Sequence, residues 1–308
     1  MADNQSIQTH PFARRPWTRK TLAQKRSLVG WGFLLPAALL IIWMNFYPMF
    51  MALWMSLQKG SGAKMTWGGL YNYSRLLKDT VFQQTLVTTF TYLIIQVPIM
   101  LVLAIILASL LNDRNLKGKA FFRTAVFLPC TTSLVSYSII FRSLFAVDGY
   151  VNYLLVKLGI LETSYNFLGT PWSARMVIII ALLWRWTGYN MIFFLAALQN
   201  IEPTIYEAAR IDGASPFQQL RRITMPLLKP MILLTAIMST NGTLQLFDES
   251  FNLTRGGPGR ASMTMSHHLY QLAFEKAPNF GYATTVSYVI LVLVAVLALI
   301  QMRVGDKR

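Results

Sequence analysis

Charge is scarce in this 308-residue chain: Asp, Glu, Lys and Arg make up 13% of it, about half the share of an ordinary soluble domain. A water-facing globule of this length cannot cover its surface with so few charges, which excludes a soluble enzyme. Hydrophobic residues reach 54% and gather in long blocks, the composition of a polytopic membrane protein. Acids are the scarcer sign, 12 against 28 Lys and Arg, for a net charge of +16. That excess suits either nucleic acid or the inner face of a membrane, and its distribution decides between them. A single cysteine, Cys130, lies inside an apolar block, so an internal disulfide or cysteine metal cluster is excluded and small-residue packing is its role. His267 and His268 are adjacent and share no helix face, so no metal site is expected. No nucleophile–base or paired-carboxylate constellation and no internal repeat stands out. The phosphate loop G-x-x-x-x-G-K-[ST] is missing too: Gly118-Lys119 has neither the upstream glycine nor the following Ser or Thr.

Crossing about 30 Å of hydrocarbon takes around 20 helical residues. Six stretches qualify: Val29–Leu57, Gln84–Leu111, Ala120–Phe145, Ser173–Gln199, Ile223–Phe251 and Gly281–Met302. With the N-terminus inside, the cytoplasmic pieces are 1–28, 112–123, 200–229 and 303–308, and the outer loops are 58–83, 146–175 and 252–280. Basic residues are about twice as dense in the first set, which fixes the orientation. The expected fold is therefore all-α, with six transmembrane helices and both termini cytoplasmic. The charge is topological, and nucleic acid is not a partner. Arg14, Arg15, Arg19, Lys20, Lys25 and Arg26 make residues 1–28 a basic tail drawn to anionic lipid, ahead of a membrane domain over 29–308. The first apolar run is too long for a signal peptide and no small-residue cleavage site follows it. Pro36, Pro48, Pro98 and Pro129 read as kinks.

Between the fourth and fifth spans runs IEPTIYEAARIDGASPFQQLRRITMP, residues 201–226. Pro203 suits a first helical turn, and Tyr206, Ala209, Gly213, Phe217 and Leu220 recur at helical spacing. Gly213 offers a left-handed stop. Ser215, Pro216 and Gln218 form a capping box that opens a second helix. The prediction is a helix-turn-helix over 203–222 with a small-residue face, Ala208, Ala209 and Gly213. That face fits either a docking surface rimmed by charges or an amphipathic helix on lipid headgroups.

Glu207-Ala208-Ala209, Gly213, Ile223 and Pro226 stand at the spacing E-A-A-x3-G-x9-I-x-L-P, with Met225 in place of Leu. This closely resembles the EAA loop of binding-protein-dependent ABC importers. Leu183–Asn190 (LWRWTGYN) and Leu244–Pro258 (LQLFDESFNLTRGGP) are similar to the maltose-type carbohydrate permeases of that group. The resemblance implies a permease subunit that carries a sugar or oligosaccharide across the membrane by alternating access. Its partners would be a second homologous permease, two ATPase subunits and an extracytoplasmic sugar-binding protein. ATP and Mg would sit on the ATPases, with no cofactor on this chain. Glu207, Ala208, Ala209, Asp212, Gly213, Ile223 and Pro226 would carry the coupling to the ATPase.

Polar residues inside the spans need a reason of their own. In the fourth, Trp184, Arg185 and Trp186 precede Gly188, Tyr189 and Asn190. They read either as a cavity wall for sugar faces and hydroxyls or as an arginine satisfied by backbone carbonyls. In the fifth, Ser239 to Thr243 and then Gln245 break the apolar run, either as hydroxyl partners in a cavity or as interhelical packing. Gly188, Tyr189, Asn190, Asn241, Gly242, Thr243 and Gln245 are the substrate-pathway candidates. Thr254–Gly259 is a turn by composition, and the resemblance implies that it meets the binding protein or the partner permease. The competing function is an ion- or proton-coupled secondary transporter of a small polar solute, although such proteins usually bury acids at mid-depth and every acid here lies in a loop or near a span end.

Overall fold

The computed structural model describes residues 22–62, 64–113, 116–275 and 277–306; most of the basic tail lies outside them. The chain divides into two units, one up to Met51 and one from Ala52 onward. Five helices are long and apolar enough to cross a membrane: Val29–Ser56, Thr80–Asn112, Pro171–Gln199, Pro216–Leu244 and Phe280–Gly305. In the place of the expected third span stands a bent pair of helices, Lys119–Thr131 and Leu134–Leu144, with 98° between the halves.

The break departs from the straight Ala120–Phe145 helix expected from hydropathy. Pro129 removes a backbone donor two residues before the end, and Thr132 and Ser133 turn extended. The Thr131 and Thr132 hydroxyls donate back to the carbonyls of Leu128 and Pro129, at 2.8 and 2.7 Å. Hydroxyls thus replace the lost ladder where no water would be available.

Two other prolines act through wide turns. A π turn over Ile42–Phe46 stands just before Pro48, and another over Leu220–Thr224 just before Pro226. In each, the residue before the proline donates five residues back, Tyr47 to Ile42 and Met225 to Leu220. The wider turn accommodates a ring that would otherwise press on the carbonyl four residues earlier. The second π turn makes the end of the loop helix continuous with the fifth span, so this span begins at Pro216 instead of Ile223. It also ends earlier than expected, at Leu244 instead of Phe251.

Within the unit from Ala52, the fourth span is central, with 61% of its apolar window buried against 22% for the fifth and sixth. It packs along the second span, small Ala104 and Ala108 facing Phe194 and Leu198 at one end, and Tyr92 facing Ile178 and Leu182 at the other. The sixth span adds a third core, where Tyr282 and Val286 meet Phe82 and Leu244.

Polar side chains organise the end remote from residues 201–226. Asp79 caps the second span, accepting from the backbone N–H of Val81 and Phe82 at 2.8 and 3.4 Å, and also accepts from the Tyr282 hydroxyl. Burial pushes its carboxyl up, but these hydrogen bonds together hold it below the ordinary aspartate value. Arg175 Nε donates to the Ala261 carbonyl at 2.7 Å, and Thr88 donates to the same oxygen. His267 lies in this layer with Nδ1 2.8 Å from Ser250 Oγ and its ring against Phe247 and Phe251.

Burial lowers the His267 pKa from its ordinary 6.5. A histidine held neutral in the fold costs nothing above that pH. Below it the unfolded chain takes up the proton first, so stability falls as pH falls from 6.5 toward the folded value. The melting temperature of the purified protein is expected to drop between about pH 7 and pH 5, with a shallower drop in His267→Gln. Parallel curves for the two proteins would assign the acid sensitivity to other groups.

Candidate transport site and coupling loop

The loop after the fourth span folds as two short helices around a left-handed glycine. Pro203–Ile211 opens with proline at its first turn and closes on Gly213 at φ +77°. The Gly213 N–H donates to Arg210 O at 3.0 Å, and the Ala214 N–H to Ala209 O at 2.9 Å, the paired bonds of a Schellman stop. Ser215 and Gln218 then cap each other reciprocally, at 3.3 and 2.8 Å, ahead of Pro216. Gln219 Nε2 donates to Ala214 O, and Tyr206 and Thr224 join their hydroxyls across the two arms at 3.0 Å.

The turn exposes some of the loop candidates and buries others. Glu207, Ala208, Asp212 and Gly213 face outward, Ala209 is buried, Ile223 is half-buried, and Pro226 follows the π turn on the exposed side. Ala209 is therefore turned inward while Ala208 and Gly213 stay open, so the expected three-residue small face is split. Two apolar side chains extend the open surface, Ile211 at 86% exposure and Phe217 at 70%. Behind the loop lies a polar cleft walled by Asn112, Arg123, Glu207 and Gln219.

A second cavity, about 310 Å³, lies inside the bundle toward the other end. The second span contributes Gln96 and Met100, and the fourth Leu182, Trp186, Tyr189 and Asn190. Met238, Ser239, Gly242 and Thr243 come from the fifth span. Gln245 to Glu249 close it after that span ends, with Leu134 from the far half of the broken span. Its amides are pre-set: Thr243 Oγ1 donates to Gln96 Oε1 at 3.1 Å, and Asn190 Nδ2 donates to the Trp186 carbonyl at 3.0 Å. Ser239 Oγ reaches Asn190 Oδ1 at 3.5 Å. Trp186 and Tyr189 meet edge to face with centroids 5.7 Å apart. Aromatic faces beside fixed amides and hydroxyls form a wall suited to a polyhydroxylated solute.

Five of the seven pathway candidates meet in this cavity: Tyr189, Asn190, Gly242, Thr243 and Gln245. Asn241 is exposed and accepts a hydrogen bond from Gln245. Gly188 faces the other way, where a Cβ would run into the Val126 carbonyl, so it lets the broken span approach the fourth. Gln96, Met100, Asp248 and Glu249 are lining residues that pattern reading passed over. Gln96, a lone amide deep in an apolar span, carried a readable signal; Met100 is one apolar residue among many on that span, and Asp248 and Glu249 needed the chain path after Leu244.

Arg185 resolves toward the backbone reading. It is 5% exposed. Nη1 donates to Thr132 O at 2.7 Å and Pro129 O at 3.3 Å, and Nη2 to Cys130 O at 3.2 Å. The guanidinium lies 4.7 Å from the Tyr137 ring centroid. Tyr137 in turn donates to the carboxylate of Glu249, itself 2% exposed. The Thr254–Gly259 turn is held by Ser262, whose hydroxyl donates to Gly257 O at 2.6 Å. Among the described residues no group of three or more His, Cys, Asp or Glu could hold a metal.

Comparison with known proteins agrees with this geometry. Residues 80–307 match the family described as binding-protein-dependent transport system inner membrane component. The lactose transport system permease protein LacF of Rhizobium radiobacter is 47% identical over 293 residues, covering 94% of this chain and 98% of that protein. The arabinooligosaccharides permease AraP of Halalkalibacterium halodurans is 32% identical, covering 97% and 94%. Among solved structures, a bacterial ABC transporter involved in import of the acidic polysaccharide alginate superimposes with a TM-score of 0.81 at 25% identity, covering 92% of this chain and 96% of that one. The chain therefore belongs to the binding-protein-dependent transport system inner membrane components, as a multi-pass permease of the inner membrane.

Proposed function

We propose that this chain is the sugar-conducting permease of an ATP-driven importer, working with a second homologous permease, two ATPase subunits and an extracytoplasmic sugar-binding protein. The supporting observation is a continuous helix. The fifth span runs from Pro216, in the loop, to Leu244, beside the cavity. Ser239, Gly242 and Thr243 on that helix line the cavity, about 35–40 Å along the axis from Pro216 at 1.5 Å per residue. A push on the exposed loop by a closing ATPase pair moves the polar wall of the cavity as part of one rigid element.

Glu207, Ala208, Asp212 and Gly213 face the ATPase in this reading, while Ile223 and Pro226 pass the movement into the membrane. Tyr189, Asn190, Gly242, Thr243 and Gln245 take the sugar. ATP and Mg bind the partner ATPases and no cofactor binds here, in keeping with a sequence that lacks a phosphate loop.

Gentle purification of the tagged chain from its own membranes, followed by mass spectrometry, tests the assembly. A Walker-type ATPase and a second EAA-bearing permease are expected in the eluate. A chain that emerges alone, even after crosslinking in intact lipid, would overturn the proposal and make ion- or proton-coupled transport the reading to test.

A further inference from the structure

The cavity wall has one sign of charge. Among the described residues it is lined by two acids, Asp248 and Glu249, and by no Lys, Arg or His. The nearest candidate to balance them, Arg185, is outside the lining and spends both terminal nitrogens on the carbonyls of Pro129, Cys130 and Thr132. The two acids are not equivalent. Glu249 is buried and takes the Tyr137 hydroxyl. Asp248 is half-buried, lines the cavity, and has no hydrogen bond or ion pair among the described residues.

From this we infer that Asp248 sets the charge class of the transported solute: it accepts hydroxyl hydrogen bonds from an uncharged saccharide and turns away saccharides bearing carboxylate or phosphate. An ionised carboxylate accepts hydrogen bonds without donating any, so it matches the donors of sugar hydroxyls and has nothing to offer a second anion. The three amides at the site reinforce the choice: Gln96 commits an N–H to Met100, Asn190 one to the Trp186 carbonyl and Gln245 one to Asn241, so few donors are left for an anion. In a partly dewatered cavity, like charges a few ångströms apart repel by more than a factor of ten in affinity. Salt screens such a pair far less than it would on an open surface. The fold neighbour that handles the polyanion alginate shares the chain path, and the charge preference argued here comes from the side chains of this cavity alone.

The inference rests on the sugar-permease reading, and the test separates the two. The intact transporter, this chain with its copurifying subunits in lipid nanodiscs, is titrated with radiolabelled methyl galactoside, galacturonate methyl ester and free galacturonate near neutral pH. The first two keep the ring and carry no charge; the third differs from the second by the loss of the ester methyl and the gain of a negative charge. The two neutral compounds are expected to bind alike and free galacturonate at least about tenfold more weakly. In Asp248→Asn, which keeps an acceptor and loses the charge, the gap should close to within about threefold. Asp248→Ser serves if the first variant fails to assemble. Free galacturonate binding the native transporter as well as its ester would overturn the inference while leaving the sugar cavity standing. An undiminished gap in the variants would also overturn it by moving the discrimination elsewhere. Binding of none of the three compounds would count against the cavity as a sugar site altogether.

Discussion

Replacing Gly213 by aspartate is expected to abolish uptake, by about a hundredfold or more, in a transporter that still inserts, assembles and receives sugar from outside. Gly213 holds φ +77° and no atom lies within 4 Å of where its Cβ would stand, so the cost is conformational and local. Forcing an L-residue into the left-handed region costs about 1–2 kcal/mol, small beside the packing of a membrane domain. The loop can relieve that strain by giving up the hydrogen bonds from Gly213 and Ala214 to Arg210 and Ala209. The first helix would then lose its fixed angle to the fifth span, and the exposed surface carrying Ala208, Ile211 and Phe217 would lose its arrangement. Asparagine, which tolerates the left-handed region better than other side chains, should keep a substantial share of uptake at the same position. Uptake assays beside membrane quantification and stimulated ATPase rates check this, and normal uptake in the aspartate variant would remove the loop from coupling.

The loop was legible in the sequence because its chemistry is local. Pro203, Gly213, Ser215, Pro216 and Gln218 each act within four residues of themselves, and the structure forms the stop and the capping box where they were read. The spans were legible as apolar blocks, since membrane thickness sets their length. Their interruptions were less so. Hydropathy treats 120–145 as one block, and only the meeting of Pro129 with extended Thr132 and Ser133 reveals a 98° bend. The cavity was half legible. Polar residues in the fourth and fifth spans announced themselves against an apolar background, but the facing of Gly188 toward Val126 depends on the position of another helix. Asp248 and Glu249 read as the outer end of the fifth span, and the end of that helix at Leu244 lets the chain bring them to the cavity wall.

Arg185→Met is expected to lower the melting temperature of the purified protein by roughly 5–10 °C, from a loss of several kcal/mol, and to reduce uptake as a consequence. A cation in the apolar bundle costs about 2.5–3.5 kcal/mol by itself, so its presence requires compensation. The carbonyls of Pro129, Cys130 and Thr132 provide it. They belong to the end of a helix whose continuation bends away by 98°; the Thr132 N–H still reaches Pro129 O at 3.3 Å, while the carbonyls of Cys130 and Thr132 depend on the guanidinium. Methionine fills the volume and offers no donor, leaving acceptors unsatisfied in a dry interior at about 1–3 kcal/mol each. Leu134, the first residue beyond the break, lines the cavity, so loosening the bend moves the wall that meets the sugar. Lysine keeps the charge but not the planar fork, and it should fall between the two in both stability and uptake. A direct role in sugar binding predicts a different pair of results: lost uptake with an unchanged melting temperature in Arg185→Met, and a sugar-protectable Arg185. The guanidinium lies outside the cavity lining with both terminal nitrogens committed to backbone, so a coupled loss of stability and uptake is the outcome this geometry requires.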